Sequence, residues 1–314
     1  MNKDNLLKLD IEKETERITK QLKHDIFHRL RRKGAVIGIS GGIDSAVTTS
    51  LLVRACGNER VLGIMMPEKE SSPDSLQLAK TVAQQYNIEY IVEDITPVLD
   101  AYNCYVRRDE TVKRVFPEYD ETYKFKIGLP PGIGNNRVLN VFYATIVSPD
   151  GEKKTKRMRP AEYLQIVAAS NFKQRTRMAV LYHHAERFNY AVVGTGNKNE
   201  HELGFFVKYG DGGADIKPIL HLFKTQVYDL ARYLGVPQEI LRKQPTSDTY
   251  SAEQTQEEFF FRIPFSLLDT VWSGWEKNYP ESDIAGITGL TVDQVRNIIA
   301  DIKQKKKTTE PLRD

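Results

Sequence analysis

The run Ser40-Gly41-Gly42-Ile43-Asp44-Ser45 stands between an apolar stretch that predicts a strand and one that predicts a helix. Glycines let the backbone approach an anion closely, and the first N–H groups of the following helix point toward it. The hydroxyls of Ser40 and Ser45 can donate further hydrogen bonds. The run therefore predicts a phosphate-binding turn, although the residues alone also allow an ordinary Gly-Gly turn.

Asp44 adds a second feature to this turn. A carboxylate next to bound phosphates repels them unless a cation lies between, so Asp44 predicts Mg²⁺ bridging the phosphates. The sequence lacks, after these glycines, the lysine of the G-x-x-x-x-G-K-[ST] loop that holds a transferred γ-phosphate. The turn is therefore predicted to bind pyrophosphate.

Two further glycine-rich segments carry charged residues. A second turn, residues 194–200, places Glu200 after an apolar run, where it is either a second oxygen ligand of Mg²⁺ or a solvated surface residue. Residues 204–215 hold Lys208, Asp211 and Asp215 among glycines and aromatic residues. This segment is predicted to close over a ligand, and a flexible loop is the alternative.

The elements that must position these residues alternate along the chain. β-rich runs occupy residues 35–40, 60–67 and 88–95, and helical periodicity occurs near 45–55 and 72–86. Such alternation predicts an α/β fold, a doubly wound parallel sheet with helices on both faces. Ligands of such sheets bind at the carboxyl ends of the strands, where the phosphate-binding turn lies.

The alternation stops between about residues 109 and 160. Two β-rich segments, residues 137–147 and 153–158, flank Ser148-Pro149-Asp150-Gly151, which predicts a β-hairpin. We interpret this region as an inserted flap or subdomain. A long helix over residues 161–188 then leads back to the sheet.

The rest of the chain is expected to complete one domain spanning residues 1–314. Residues 283–314 predict a C-terminal helical segment with a basic tail. The aromatic residues Phe259 to Phe261, Trp272 and Trp275 are expected in core or dimer contacts. Stacking of one of them on a nucleotide base is the alternative.

Composition narrows the class of protein. Lys and Arg number 45 against 42 Asp and Glu, and this net charge of +3 does not call for nucleic acid. With 2 cysteines, a disulfide framework is not expected. No stretch has the apolar length of a membrane span or a signal peptide. We therefore expect a protein of the reducing cytoplasm without a membrane partner.

The wording S-G-G-x-D-S resembles the ATP pyrophosphatases, which cleave ATP between the α and β phosphates and adenylate a substrate. Further segments, in the same order, are similar to the NAD synthetases, ligases that amidate nicotinic acid adenine dinucleotide. These segments are residues 171–178, 194–197, 204–215, 224–226, 234–237 and 245–248. The resemblance covers most of the chain outside residues 109–160 and implies the adenine nucleotide alpha hydrolase-like form of the fold.

The resemblance also implies roles for single residues. The residues implied to bind ATP are Ser40, Gly41, Gly42, Asp44, Ser45, Arg175, Thr195, Lys224 and Thr246. Those implied to bind Mg²⁺ are Asp44 and Glu200. Those implied to contact the carboxylate substrate are Asn171, Lys208, Asp211 and Asp215. Those implied to take part in catalysis are Asp44, Lys208, Asp211, Asp215 and Lys224, with Asp211 or Asp215 accepting a proton from the attacking ammonia.

The implied reaction is Mg-ATP-dependent amide ligation. A carboxylate attacks the α-phosphorus of ATP, pyrophosphate leaves, and ammonia then displaces AMP, which would convert nicotinic acid adenine dinucleotide to NAD. No amidase domain for glutamine is expected, so ammonia is used directly or comes from a separate glutaminase. The same resemblance implies a homodimer.

Two departures from the family pattern keep alternatives open. One is the insertion at residues 109–160, and the other is the Phe-rich segment 256–262, where the family has an acidic pair and a glycine-containing turn. They allow the same chemistry on a different carboxylate, and the basic insertion also allows an RNA-modifying ATP pyrophosphatase. A non-catalytic nucleotide sensor is disfavoured because it would not need the full set of charged residues named above.

Overall fold

Helices and strands alternate over most of the computed structural model, which describes residues 6–128, 142–246 and 249–313. The strands are β1 (Ala35–Gly38), β2 (Val61–Met65), β3 (Glu89–Val92), β4 (Lys124–Gly128), β5 (Tyr143–Val147), β6 (Lys153–Arg157) and β7 (Ala191–Val193). The helices are α1 (Ile11–His24), α2 (Ile43–Cys56), α3 (Pro73–Gln85), α4 (Thr96–Ala101), α5 (Cys104–Val115), α6 (Pro160–Phe188), α7 (Lys198–Leu203), α8 (Lys224–Tyr233), α9 (Gln238–Arg242), α10 (Phe265–Glu276), α11 (Glu281–Thr288) and α12 (Val292–Arg313).

The central sheet has the order β3-β2-β1-β7, and each of its strand pairs is parallel. Successive side chains of a strand point to opposite faces. In β1, Ala35 and Ile37 pack with Leu22 and Leu51 on one face, whereas Val36 packs with Ala185 of α6 on the other. Both faces are therefore covered by helices, and the predicted doubly wound parallel sheet is confirmed.

The insertion forms an antiparallel sheet of its own, β4-β5-β6. The predicted hairpin is present between β5 and β6, while residues 129–141, which include the predicted start of its first strand, lie outside the described part of the chain. Buried Phe116, Phe125, Ile146 and Ile166 share one core cluster. The predicted boundary near residue 109 falls inside α5, because that helix packs along α6.

A third core cluster holds the C-terminal helices together. Trp272 of α10 is fully buried there with Ile284 of α11 and Ile298 of α12. In the basic tail, Lys306 forms ion pairs with Glu202 and Glu276, so this lysine is neutralised by acidic residues of its own chain. Among the residues described, no helix combines the length and the apolar character that a membrane span requires.

Candidate functional site

A cavity of about 650 Å³ opens at the carboxyl ends of β1, β2 and β7, and we call it the main cavity. The sequence-predicted site residues that line it are Ser40, Gly42, Asp44, Ser45, Asn171, Thr195, Glu200, Asp211, Lys224 and Thr246. Those outside its lining are Gly41, Arg175, Lys208 and Asp215. The topology therefore gathers most of the predicted residues at the strand ends, as a parallel α/β sheet requires.

The glycine turn after β1 is shaped by its own hydroxyls. The Gly42 N–H donates to Ser40 Oγ at 3.3 Å, and Ser45 Oγ donates to the Gly42 carbonyl at 2.9 Å. Gly41 has a φ of +76°, and a Cβ there would lie 2.4 Å from the Ser75 carbonyl oxygen. The turn thus requires glycine at position 41 and directs the N-terminus of α2 toward the main cavity.

Asp44 is held by two donors from other elements. Lys224 Nζ forms an ion pair with Asp44 Oδ2, and Asn197 Nδ2 donates to Asp44 Oδ1 at 3.1 Å. The Lys224 side chain is 1% exposed. Burial alone would lower the pKa of Lys224, but the carboxylates of Asp44 and Glu200 outweigh it and raise that pKa, so the ammonium form is retained.

Asn197 links Glu200 to Asp44 through hydrogen bonds. Asn197 and Glu200 form a capping box at the start of α7, each side chain accepting the other's backbone N–H at 3.1 Å. Burial, followed by the negative charge of Asp44, raises the pKa of Glu200 to about 8. The cluster of Asp44, Glu200 and Lys224 thus has one carboxylate more than its own cation can neutralise.

Two residues that sequence reasoning missed set the position of Lys224. Asn199 Oδ1 accepts the Lys224 backbone N–H at 2.9 Å, and Asn199 Nδ2 donates to Asp269 Oδ1 at 2.6 Å. Asp269 Oδ2 also accepts the Thr225 N–H at 2.9 Å, and burial raises the pKa of Asp269 to about 6. The pattern Asn-x-x-Glu over residues 197–200 could have revealed the capping box, but no local signal marks Asp269.

The glycine-rich segment at 204–215 folds compactly and separates its two aspartates. Asp211 opens on the main cavity and accepts the Val207 N–H at 2.9 Å, while the surrounding protein raises the pKa of its carboxyl to about 6 by desolvation. Asp215 instead accepts the Val192 N–H at 2.8 Å and the Tyr182 hydroxyl at 3.1 Å. It lines a separate cavity of about 430 Å³ beside α1. Asp211 is therefore the aspartate of this segment that faces the main cavity.

Helical geometry decides which residues of α6 reach the main cavity. Asn171, Gln174 and Arg177 line it, as expected for spacings of three on one helix face. Arg175 lies on the next face, is exposed, and its Nε donates to the Lys208 carbonyl at 3.3 Å. Arg177, which sequence reasoning missed, is the arginine of this pair in the cavity wall.

The donor set of the cluster fits a hard divalent cation. Carboxylates are the protein ligands that Mg²⁺ prefers, and Mg²⁺ commonly takes one or two of them together with substrate phosphates and water. Among the residues described, no group of three or more His, Cys, Asp or Glu could enclose a metal ion. Asp44 and Glu200, beside the glycine turn, fit a site in which Mg²⁺ is shared between protein carboxylates, substrate phosphates and water. They do not fit a site enclosed by protein ligands alone.

Comparison with known proteins gives one family. The model of the NAD synthase family matches residues 14–116 and 144–311, leaving part of the insertion unmatched. An NH(3)-dependent NAD(+) synthetase of Mesorhizobium japonicum is 46% identical over 307 residues, covering 98% of this chain and 96% of that protein. One of Thermotoga maritima is 36% identical over 282 residues, covering 89% of this chain and 92% of that protein.

Solved structures show the same fold. An NMN synthetase from Francisella tularensis matches with a TM-score of 0.67 at 22% identity, covering 98% of this chain and 97% of that one. An NH3-dependent NAD synthetase from Campylobacter jejuni, in complex with the nitrate ion, matches with a TM-score of 0.62 at 23% identity, covering 96% and 97%. At these identities the likeness concerns the fold alone.

Proposed function

The chain belongs to the NAD synthase family, and from this premise we propose that it amidates nicotinic acid adenine dinucleotide with ammonia at the expense of ATP, releasing AMP and pyrophosphate. It is a carbon–nitrogen ligase. The observation that carries the assignment of the site is the cluster of Asp44, Lys224 and Glu200 beside the glycine turn.

The first half-reaction joins two anions. A carboxylate oxygen of the acceptor attacks the α-phosphorus, the bond to the β-phosphate oxygen breaks, and pyrophosphate leaves. We assign the turn of Ser40, Gly42 and Ser45 to the departing pyrophosphate, with the Lys224 ammonium next to it. Mg²⁺ held by Asp44 and Glu200 would supply the remaining neutralisation of phosphate charge.

The second half-reaction needs a proton acceptor. Ammonia attacks the carbonyl carbon of the acyl-adenylate, the bond to AMP breaks, and the new amide nitrogen loses a proton. Asp211 is favoured over Asp215 for this role, because Asp215 is occupied by Tyr182 and Val192 whereas Asp211 opens on the main cavity. A carboxyl with a pKa of about 6 is a stronger base than an ordinary aspartate, as the step requires.

The predicted roles of Arg175 and Lys208 depend on a second protomer in this proposal. Both lie outside the lining of the main cavity, and Arg175 contacts the Lys208 carbonyl beside it. Leu164 of α6 and Val106 of α5 are apolar and 62% and 52% exposed on neighbouring helices, and the proposal places them in the contact between two copies. Light scattering at micromolar concentration tests the homodimer, and a monomer would contradict it.

The acceptor and the nitrogen source are tested in one assay. Purified protein receives Mg-ATP with ammonium or glutamine, and with nicotinic acid adenine dinucleotide, nicotinic acid mononucleotide or no acceptor. We expect equal amounts of NAD, AMP and pyrophosphate with the dinucleotide and ammonium. Turnover of the mononucleotide instead would identify the second candidate acceptor, the one suggested by the name of the Francisella neighbour. Turnover with glutamine in the absence of ammonium would contradict direct use of ammonia.

A further inference from the structure

Aromatic side chains form one wall of the main cavity. Tyr163 lies on α6, and Tyr250, Phe259 and Phe260 follow the segment that carries Thr246. Tyr250 is 6% exposed and belongs to the core of the insertion, whereas Tyr163 and Phe259 pack against that core and keep part of their surface on the cavity. Tyr163 and Phe259 therefore both pack on the insertion and offer ring surface to the cavity.

The insertion holds this wall in place through a continuous series of rings. Phe125 of β4 packs edge-on against Tyr250, with ring centroids 5.6 Å apart, and Tyr250 packs edge-on against Phe259 at 5.8 Å. Phe259 in turn meets Phe205 of the glycine-rich segment at 5.7 Å. The series therefore runs from the inserted sheet to a segment that lines the main cavity.

Backbone contacts fix the same segment to β4. The Ala252 N–H donates to the Phe125 carbonyl at 3.0 Å, and the Phe125 N–H donates to Ser251 Oγ at 2.9 Å. Phe142, just before β5, stacks on Tyr163 at 3.6 Å between centroids. The described part of the insertion thus supports the cavity wall from behind.

We infer that Tyr163, Tyr250 and Phe259 form a subsite for a flat aromatic ring of the acceptor nucleotide, built on the insertion. The inference rests on the proposed function, which supplies such an acceptor. The wall is continuous with the phosphate-binding turn, because both line one cavity. Ile39, Met65 and Met66 line the same cavity at the ends of β1 and β2, and this apolar surface beside the turn is open to the base of ATP in the proposed function. A ring of either kind stacks on aromatic side chains without a need for specific hydrogen bonds.

The test compares Phe259→Leu, which removes a ring, with Phe259→Tyr, which keeps one. Calorimetric titrations with nicotinic acid adenine dinucleotide are made in the presence of a saturating non-hydrolysable ATP analogue. We expect Kd to rise about tenfold in Phe259→Leu and to stay near the wild-type value in Phe259→Tyr, since stacking of one base contributes about that factor. The Kd of Mg-ATP alone should change less than twofold.

Titrations with two smaller ligands show which ring of the acceptor, pyridine or adenine, binds in the subsite. Nicotinic acid mononucleotide carries only the pyridine, and ADP-ribose carries only the adenine. A loss in Phe259→Leu that is shared with the mononucleotide assigns the pyridine to the subsite, and a loss shared with ADP-ribose assigns the adenine. The control variant Phe116→Leu removes a fully buried ring of the insertion core that does not line the cavity, so it should lower the melting temperature and leave every Kd unchanged.

The outcomes separate this inference from the proposed function. Wild-type protein that neither binds nor amidates the dinucleotide would overturn the proposed function and the subsite together. Wild-type activity with unchanged binding in a folded Phe259→Leu variant would overturn the subsite alone. A weakened Mg-ATP affinity with unchanged acceptor affinity would also overturn it, because the wall would then belong to ATP.

Discussion

Two buried lysines, Lys173 and Lys224, form ion pairs with carboxylates in this protein, and the two clusters differ in their number of cations. Lys173 is 1% exposed and its Nζ lies 2.9 Å from Glu68 Oε1 and 2.7 Å from Glu70 Oε2. Arg108 makes two further hydrogen bonds to Glu70 at 2.6 and 2.7 Å, and the Tyr105 hydroxyl donates to Glu68 at 2.6 Å. In this cluster each of the two glutamates has a cation, and Arg108 also pairs with Asp109, whose side chain is 30% exposed.

The other cluster lacks the second cation. Lys224 is as deeply buried as Lys173, yet Asp44 takes its ammonium and, within the described residues, Glu200 has no salt bridge. The consequence is a difference in the pKa of the two glutamates. Burial alone would raise the pKa of Glu70, but Arg108 and Lys173 bring it to about 2, whereas burial and Asp44 raise the pKa of Glu200 to about 8. The first cluster joins elements, and in the proposed function the second one, at the cavity, takes a cationic ligand.

The largest expected effect is on turnover at the cluster of Lys224. Asp44→Asn removes the charge that faces Lys224 and the proposed metal, so we expect kcat for NAD formation to fall by about 10²–10³, the loss typical of one electrostatic contact to the transition state. The fold should be retained, but the melting temperature should fall as well, because Asp44 is the ion-pair partner of the buried Lys224 ammonium, so kcat is compared at a temperature where both proteins are folded. Turnover within twofold of wild type would remove the distinction between the two clusters.

The cluster of Lys173 should respond in stability. Lys173→Met leaves Glu68 without its cation inside the protein, which costs about 3–5 kcal/mol in the free energy of unfolding. The double variant with Glu68→Gln should recover part of that loss, because the unpaired charge is gone. Denaturant titration measures both. If Lys173→Met were as stable as the wild-type protein, the ion pairs of Lys173 with Glu68 and Glu70 would not contribute to holding these segments together.

The pH dependence of stability should have opposite signs at the two glutamates. Glu200 binds a proton more tightly in the folded than in the unfolded chain, so its contribution to stability is complete below about pH 4.5 and is lost as the pH rises toward 8. Glu70 has the lowered pKa, so its contribution is present above about pH 4.5 and is lost as the pH falls toward 2. Each pKa unit corresponds to about 1.4 kcal/mol.

Urea titrations from pH 5 to 8 test the sign at Glu200. Glu200→Gln should flatten this part of the profile, and saturating Mg-ATP should flatten it in the wild-type protein if the metal neutralises the carboxylate. A slope that is the same in both proteins, with and without Mg-ATP, would mean that other groups produce it.

The smallest effect is expected at an exposed cluster with the same chemistry. Arg296 lies 3.0 Å from Glu281 and 3.0 Å from Asp293, and its side chain is 58% exposed. Solvent screens such pairs, so Arg296→Ala should change the free energy of unfolding by at most about 1 kcal/mol. A larger loss in the same denaturant series would mean that burial is not what separates the strong clusters from the weak one.

Much of the site could be predicted from the sequence because its signals are local. The turn from Ser40 to Ser45 combines a strand, two glycines and a helix start within one short run, and the structure forms it as expected. Glu200 follows another strand of the same parallel sheet, so the rule for strand ends brought it to Asp44. The β5–β6 hairpin was equally local, since its turn residues lie between its two strands.

Other placements could not be predicted, because they depend on packing between distant segments. Asp269 reaches Asn199 across 70 positions of sequence and the Thr225 N–H of α8 across 44. The separation of Asp211 from Asp215 depends on the hydrogen bonds of Asp215 to Tyr182 and Val192. Arg177 lines the main cavity and Arg175 does not, because the packing of α6 fixes which face of this helix points to the cavity.

The sequence by itself determined the glycine turn after β1, the parallel sheet and the family of this protein, since short runs and their order along the chain carry that information. Only the tertiary structure decided that Lys224 faces Asp44 and Glu200, while Lys173 holds Glu68 and shares Glu70 with Arg108. It also decided that the insertion supports an aromatic wall of the main cavity. The physical reason is the same in both cases. Charge balance and cavity shape arise from side chains that are distant in sequence. Their electrostatic contacts become strong only when packing of the elements has buried them.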